Sequence, residues 1–67
     1  MKIIYKIVIV SCNNDAFWYS NKIGSQFYAV KTLFGNTFFY EIINNLEYKG
    51  QLISIDNATM VEIVTKF

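Results

Sequence analysis

The dipeptide Gly35-Asn36 constrains the fold most strongly, because it separates two runs of residues that are typical of β-strands. Gln26 to Phe34 precedes it and Thr37 to Ile43 follows it, and both runs are rich in aromatic and β-branched residues. Glycine followed by asparagine suits the positive φ angles of a two-residue hairpin turn. The sequence therefore predicts a β-hairpin over residues 26–43.

The same turn predicts the register of the hairpin. If Gly35 and Asn36 form the turn, Phe34 pairs with Thr37 and successive residues alternate between two faces. One face then carries the cross-strand pairs Ala29 with Ile42, Lys31 with Tyr40, and Leu33 with Phe38. The other face carries Tyr28, Val30, Thr32, Phe34, Phe39, Glu41 and Ile43. A domain with a single core covers only one of these largely apolar faces, so the surplus face is predicted to be an interface.

Three further strands are predicted outside the hairpin. Residues 2–11, 48–54 and 59–67 are rich in β-branched and apolar residues with partial alternation. Residues 12–20 break the pattern with Asn13, Asn14 and Asp15, which favour turns, and are predicted to form a long loop. The chain has no proline, internal repeat, linker or helical period. It is therefore predicted to be one all-β domain over residues 1–67, a small barrel or sandwich.

Several residues, taken in order, resemble the small SH3-like β-barrel proteins of bacteriophages. They are Trp18-Tyr19, Lys22-Ile23-Gly24, Phe27, Tyr40, Ile55-Asp56 and Val61-Glu62-Ile63. The resemblance implies a five-stranded barrel with a long loop after the first strand, a central hairpin, and a short 3-10 turn over residues 55–58. It also implies a viral origin, and it carries over no catalytic residue. The chain departs from peptide-binding SH3 domains, because Asp15 is the only acidic residue between positions 12 and 40 and proline is missing, so recognition of proline-rich peptides is not expected.

Composition argues against most catalytic and metal chemistry. The 67 residues include no histidine and no arginine, and Cys12 is the only cysteine. The common nucleophile–base pairs and the usual zinc ligands are therefore missing, and the acidic residues and glycines are dispersed along the chain. We expect a protein that is not an enzyme and holds no cofactor and no metal. With no disulfide possible and no run of about 20 apolar residues, a cytoplasmic location without membrane insertion is expected.

Aromatic residues make up 18% of the chain. A folded domain of this size leaves roughly 40% of its unfolded-chain surface exposed, so some aromatic side chains are expected at the surface. Exposed aromatic side chains recur as anchors of protein interfaces. We therefore predict a protein-binding module whose partner is a host protein, a second copy in a homo-oligomer, or both. The predicted contact residues are Phe17, Trp18, Tyr19, Tyr28, Phe34 and Phe39.

Two alternatives stay open. Single-stranded nucleic acid could stack on these aromatic side chains, although six dispersed lysines against five acidic residues attract a phosphate backbone only weakly. The indole of Trp18 could equally close the end of the barrel rather than contact a partner. Neighbouring residues of an extended chain point in different directions, so at least one residue of the Phe17-Trp18-Tyr19 run is expected near solvent.

Overall fold

The computed structural model describes residues 3–66, with side chains up to Val64, and shows five β-strands and one turn of 3-10 helix. The elements are β1 (Ile3–Ile9), β2 (Gln26–Phe34), β3 (Thr37–Ile43), β4 (Leu52–Ser54), the 3-10 turn (Ile55–Asn57) and β5 (Ala58–Lys66). The strands form one antiparallel sheet in the order β4-β3-β2-β1-β5. The prediction of an all-β chain with five strands and a 3-10 turn is confirmed. Met1, Lys2 and Phe67 lie outside the described residues, including the predicted strand ends at Lys2 and Phe67.

The hairpin of β2 and β3 has the predicted ends and the predicted register. Ala29 pairs with Ile42, and the pairing continues in step to Phe34 and Thr37 beside the turn. Gly35 has a φ of 64°, whereas Asn36 is not among the non-glycine residues with positive φ. A positive φ at the first turn position alone is the pattern of a type II′ turn, whose twist matches that of the flanking strands.

The sheet is open in the described residues, because hydrogen bonds join each strand to its neighbours but do not join β4 to β5. The structure therefore shows a five-stranded antiparallel sheet and does not show a closed barrel. β4 has three residues instead of the seven predicted over 48–54. The side-chain oxygen of Asn45 accepts the backbone N–H groups of Glu47 and Tyr48, and Gly50 has a φ of 87°. Because these turns occupy the preceding residues, β4 begins only at Leu52.

Two β-bulges interrupt the pairing of β5 with β1. Val61 lies between the β5 partners of Lys6 and Ile7 and has no partner on β1 itself. Val64 lies likewise between the partners of Ile4 and Tyr5. An extra residue on one strand of a pair bends that strand and increases its twist. The partial alternation predicted for residues 59–67 is therefore interrupted at both positions.

The core lies on one face of the sheet and towards one end of it. The hairpin contributes Phe27, Ala29, Tyr40 and Ile42; the other strands contribute Ile7, Ile9, Ile53 and Ala58, and the loop after β1 contributes Tyr19. Four isoleucines, at positions 7, 9, 42 and 53, are fully buried. Complete burial of such a side chain stabilises a fold by about 1.5–3 kcal/mol. Within residues 3–66, no helix is long and apolar enough to cross a lipid bilayer.

Candidate functional site

The loop between β1 and β2, residues 10–25, contains a series of tight turns. The backbone N–H of Phe17 donates to the carbonyl of Asn14, that of Ser20 to Phe17, and that of Lys22 to Tyr19. Each of these bonds spans three residues, the separation found in β-turns. The loop therefore holds its three consecutive aromatic side chains in defined positions.

Trp18 joins this loop to the edge of the sheet. Its Nε1–H donates to the carbonyl of Leu52 in β4 at 2.9 Å. Its ring stacks on Tyr48 with ring centres 4.8 Å apart, and it meets Tyr19 and Phe27 edge to face at 5.5 and 5.8 Å. The side chain is half-buried against the core. Trp18 therefore has a structural role, and the remaining part of its ring faces a surface groove.

Tyr19 is a core residue, with 2% of its surface exposed. Its hydroxyl donates to Oδ1 of Asn57 at 2.7 Å and accepts the backbone N–H of Ser54 at 3.5 Å. The Nδ2 of Asn57 in turn donates to Oγ of Ser11 at 3.1 Å. Burial raises the pKa of Tyr19 above its ordinary value of 10.0, and the bond from Ser54 opposes this shift. Tyr19 stays a predicted partner contact, and its burial leaves only a small part of the side chain for a partner to reach.

A shallow groove of about 310 Å³ lies between the loop and the sheet, and we call it the aromatic groove. Its lining is Ala16, Phe17, Trp18 and Tyr19 from the loop and Phe39, Leu52 and Ser54 from the sheet. Phe17 is 40% exposed, and its ring centre lies 5.5 Å from that of Tyr19. Phe39 and Leu52 are half-buried. The groove thus offers apolar walls with the serine hydroxyl as a polar group.

The structure divides the six predicted contact residues among three places. Four of them line the aromatic groove: Phe17, Trp18, Tyr19 and Phe39. Tyr28 lines a separate depression of about 280 Å³ beside Lys6. Phe34 is 69% exposed at the end of the hairpin, next to the turn. Phe39 therefore belongs both to the aromatic groove and to the face of the hairpin opposite the core.

The sequence did not indicate the part of Leu52, Ser54 and Tyr48 in this site. Leu52 accepts its hydrogen bond from a residue 34 positions away, and no local pattern predicts such a contact. Tyr48 was predicted to lie in a strand, whereas it lies in the turns that precede β4 and stacks on Trp18. Aromatic character was the only available signal for Tyr48, and many residues of this chain share it.

The residues that line the aromatic groove carry no formal charge. Two lysines in other parts of the sheet and loop lie over aromatic rings: Nζ of Lys22 is 5.0 Å from the ring centre of Tyr48, and Nζ of Lys31 is 5.1 Å from that of Tyr5. Both distances are typical of cation–π contacts. Within residues 3–66, no group of three or more cysteine, aspartate or glutamate side chains could hold a metal ion. The lining of the groove therefore offers apolar contacts together with the polar side chain of Ser54.

Comparisons of this chain with protein-family models, curated proteins and solved structures found no significant match.

Proposed function

We propose that this chain is a non-catalytic protein-binding module that holds an apolar segment of a partner protein in the aromatic groove. The observation that carries this proposal is the convergence of Phe17 from the loop with Phe39 and Leu52 from the sheet. Clustered aromatic side chains in a concave surface are typical anchors of protein interfaces. Because Trp18 bonds the loop to β4, one wall is held in place before binding, which lowers the entropic cost of association.

We also propose an SH3-like fold and a bacteriophage origin, in which the chain binds and inhibits a host protein in the host cytoplasm. The order of elements supports the fold: a long irregular loop follows β1, a hairpin forms the middle, and a 3-10 turn precedes β5. The bacteriophage origin and the host partner rest on the resemblance of Trp18-Tyr19, Lys22-Ile23-Gly24 and Phe27 to small phage barrels.

A protein partner suits the aromatic groove better than single-stranded nucleic acid does. Sites for single strands combine stacking aromatic side chains with a positive groove that follows the phosphate backbone. The lining of this groove contains no lysine, and the formal net charge of the chain is +1. A nucleic-acid site would therefore lack its main source of affinity.

The proposal is tested by covalent capture from the groove. A photo-reactive amino acid in place of Phe17 should cross-link a host protein, which is then identified and purified. Binding of that protein is measured through the fluorescence of Trp18, the single tryptophan, whose ring lines the groove. The double variant Phe17→Ser with Phe39→Ser should bind at least about tenfold more weakly, since both anchors are lost.

Leu46→Ser is the matched control, because Leu46 is fully exposed in the turns after β3 and is not part of the groove lining. It removes a similar apolar side chain and should leave binding unchanged. Equal binding by the groove variant and the wild type would refute the proposal. A different result would be that no protein is captured, while a single-stranded oligonucleotide quenches Trp18 fluorescence at low salt and is released at high salt. That result would show that the partner is nucleic acid and not protein.

A further inference from the structure

The end of the β2–β3 hairpin extends beyond the rest of the sheet. β1 pairs with β2 only over Gln26 to Ala29, and β4 pairs with β3 only from Phe39 to Glu41. Among residues 3–66, the segment 31–38 therefore has free strand edges, on the β1 side of β2 and on the β4 side of β3. We call residues 31–38 the arm. A hairpin that lacks further strands or packing is only marginally stable in water.

The arm carries exposed apolar side chains on both of its faces. Leu33 and Phe38 form a cross-strand pair on the face of the sheet that carries the core, and they are 58% and 55% exposed. Phe34, on the opposite face, is 69% exposed. Lys31 is the only charged residue of the arm. Exposed apolar side chains gathered at one place on a small protein mark an interaction surface.

Within residues 3–66, the arm also presents backbone groups that have no hydrogen-bond partner. Phe34 and Thr37 flank a two-residue turn and form a hydrogen-bonded pair, so the next pair, Leu33 and Phe38, is a non-hydrogen-bonded pair. The N–H and C=O groups of these two residues therefore point outward along the free edges. A partner that covers the arm gains the most binding free energy if it offers hydrogen-bonding groups together with apolar surface. A lipid bilayer offers no such groups in its hydrocarbon region, where an unpaired backbone group costs several kcal/mol.

We propose that the arm is the contact surface of a weak homodimer, in which the arms of two copies pack against each other. A second arm supplies both features needed to cover the first one, apolar side chains and strand edges with unpaired hydrogen-bonding groups. Electrostatic repulsion is small, because the formal net charge of each chain is +1 and each arm carries one lysine. This surface is distinct from the aromatic groove, and none of the residues 31–38 lines that groove.

The exposed area of the arm indicates a concentration-dependent dimer. At about 200 Å² for each large side chain, the exposed fractions of Leu33, Phe34 and Phe38 amount to roughly 700 Å² over two copies. A standard interface buries about 1,600 Å² in total, and weak complexes bury less than about 1,200 Å². The backbone edges add further area, so the dimer belongs to the weak class and dissociates on dilution.

The test is sedimentation of the full chain over a concentration series from low micromolar to millimolar. The wild-type mass should rise towards twice the monomer mass, and amide chemical shifts that change with concentration should belong to residues 31–38. Phe34→Ser should raise the dissociation constant at least about tenfold, because it removes an exposed anchor of the dimer. Leu46→Ser, which removes a fully exposed leucine outside the arm, should leave the dissociation constant unchanged.

Three results would overturn the proposal: a wild-type chain that stays monomeric at millimolar concentration, shift changes located outside the arm, or equal weakening by the arm variant and the control. The shift measurement uses the wild-type chain, so it decides the question even if Phe34→Ser folds poorly. Cosedimentation with neutral lipid vesicles is run in parallel. Vesicle binding through residues 31–38 by a monomeric chain would assign the arm to a membrane surface instead.

Discussion

At the residue scale, the hydroxyl of Tyr19 connects the loop after β1 to a segment more than 30 positions away in sequence. It bonds to Asn57 in the 3-10 turn and to the backbone of Ser54 in β4, and Asn57 extends the connection to Ser11 after β1. A buried polar group stabilises a fold only while its partners are present. This small network therefore holds the loop, the 3-10 turn and the end of β1 together.

Tyr19→Phe is expected to lower the free energy of unfolding by about 1–2 kcal/mol, because it leaves Oδ1 of the buried Asn57 without its donor. Tyr28→Phe is the matched control, since Tyr28 is 38% exposed and its hydroxyl can reach water. Urea unfolding, monitored by the fluorescence of Trp18, measures the free energy of unfolding of both variants. Equal stability of the two variants would show that the Tyr19 hydroxyl contributes nothing to folding.

The stability of the chain should also fall at alkaline pH because of Tyr19. Burial raises the pKa of this tyrosine above the ordinary 10.0, so above that pH the unfolded chain releases a proton that the folded chain retains. The contribution of Tyr19 is therefore complete below the unfolded pKa and is lost as the pH rises through the folded pKa. Urea midpoints between about pH 9 and about pH 11 should decline less steeply for Tyr19→Phe than for the wild type. Equal declines of the urea midpoint in the two proteins would contradict the raised pKa of Tyr19.

At the element scale, the turn at Gly35 and Asn36 determines the hairpin. Gly35→Ala should cost about 1–2 kcal/mol, because an alanine at a φ of 64° is in the left-handed region. A Cβ at this position would meet no atom within 4 Å, so the cost is conformational rather than steric crowding by neighbours. Asn36→Ala is the control and should change stability by less than about 0.5 kcal/mol. Thermal unfolding of the two variants gives the comparison, and a larger loss for Asn36→Ala would exclude the type II′ assignment.

Both edge strands of the sheet, β4 and β5, depart from regular and fully exposed strands. The turns around Asn45 shorten β4 to three residues, and the bond from Trp18 to Leu52 covers part of the edge that β4 presents. Short and covered edges limit unwanted pairing between molecules. At the opposite edge of the sheet, the bulges at Val61 and Val64 bend β5. This bend also limits unwanted pairing between molecules along the longer edge.

At the scale of the whole molecule, local stability should decrease from the covered end of the sheet towards the arm. Amide hydrogens in the paired centre of β1 and β2, such as those of Ile7 and Phe27, lie over fully packed side chains. Those of Leu33 and Phe38 lie along strand edges that no other strand of residues 3–66 covers. In dilute solution, hydrogen exchange measured by NMR should therefore be at least about a hundredfold faster in the arm. Uniform protection of the hairpin under these conditions would contradict the gradient.

The sequence by itself determined the number of strands and the hairpin register, because these depend on local properties. Side chains alternate along a strand with a period of two, and Gly35 fits a turn position of positive φ, so the pairing of Ala29 with Ile42 followed without any long-range information. The 3-10 turn at Ile55–Asn57 was also predicted, from the resemblance to small barrels.

Only the tertiary structure decided which aromatic side chains are buried and where the sheet ends. Phe17, Trp18 and Tyr19 are equivalent as a sequence pattern, yet they become exposed, half-buried and buried, because partners such as Asn57 and Leu52 lie more than 30 positions away. The exposure of Phe34 likewise depends on where β1 and β4 stop pairing with the hairpin. Burial is a property of the surroundings that several distant segments create together, and no local pattern of residues specifies it.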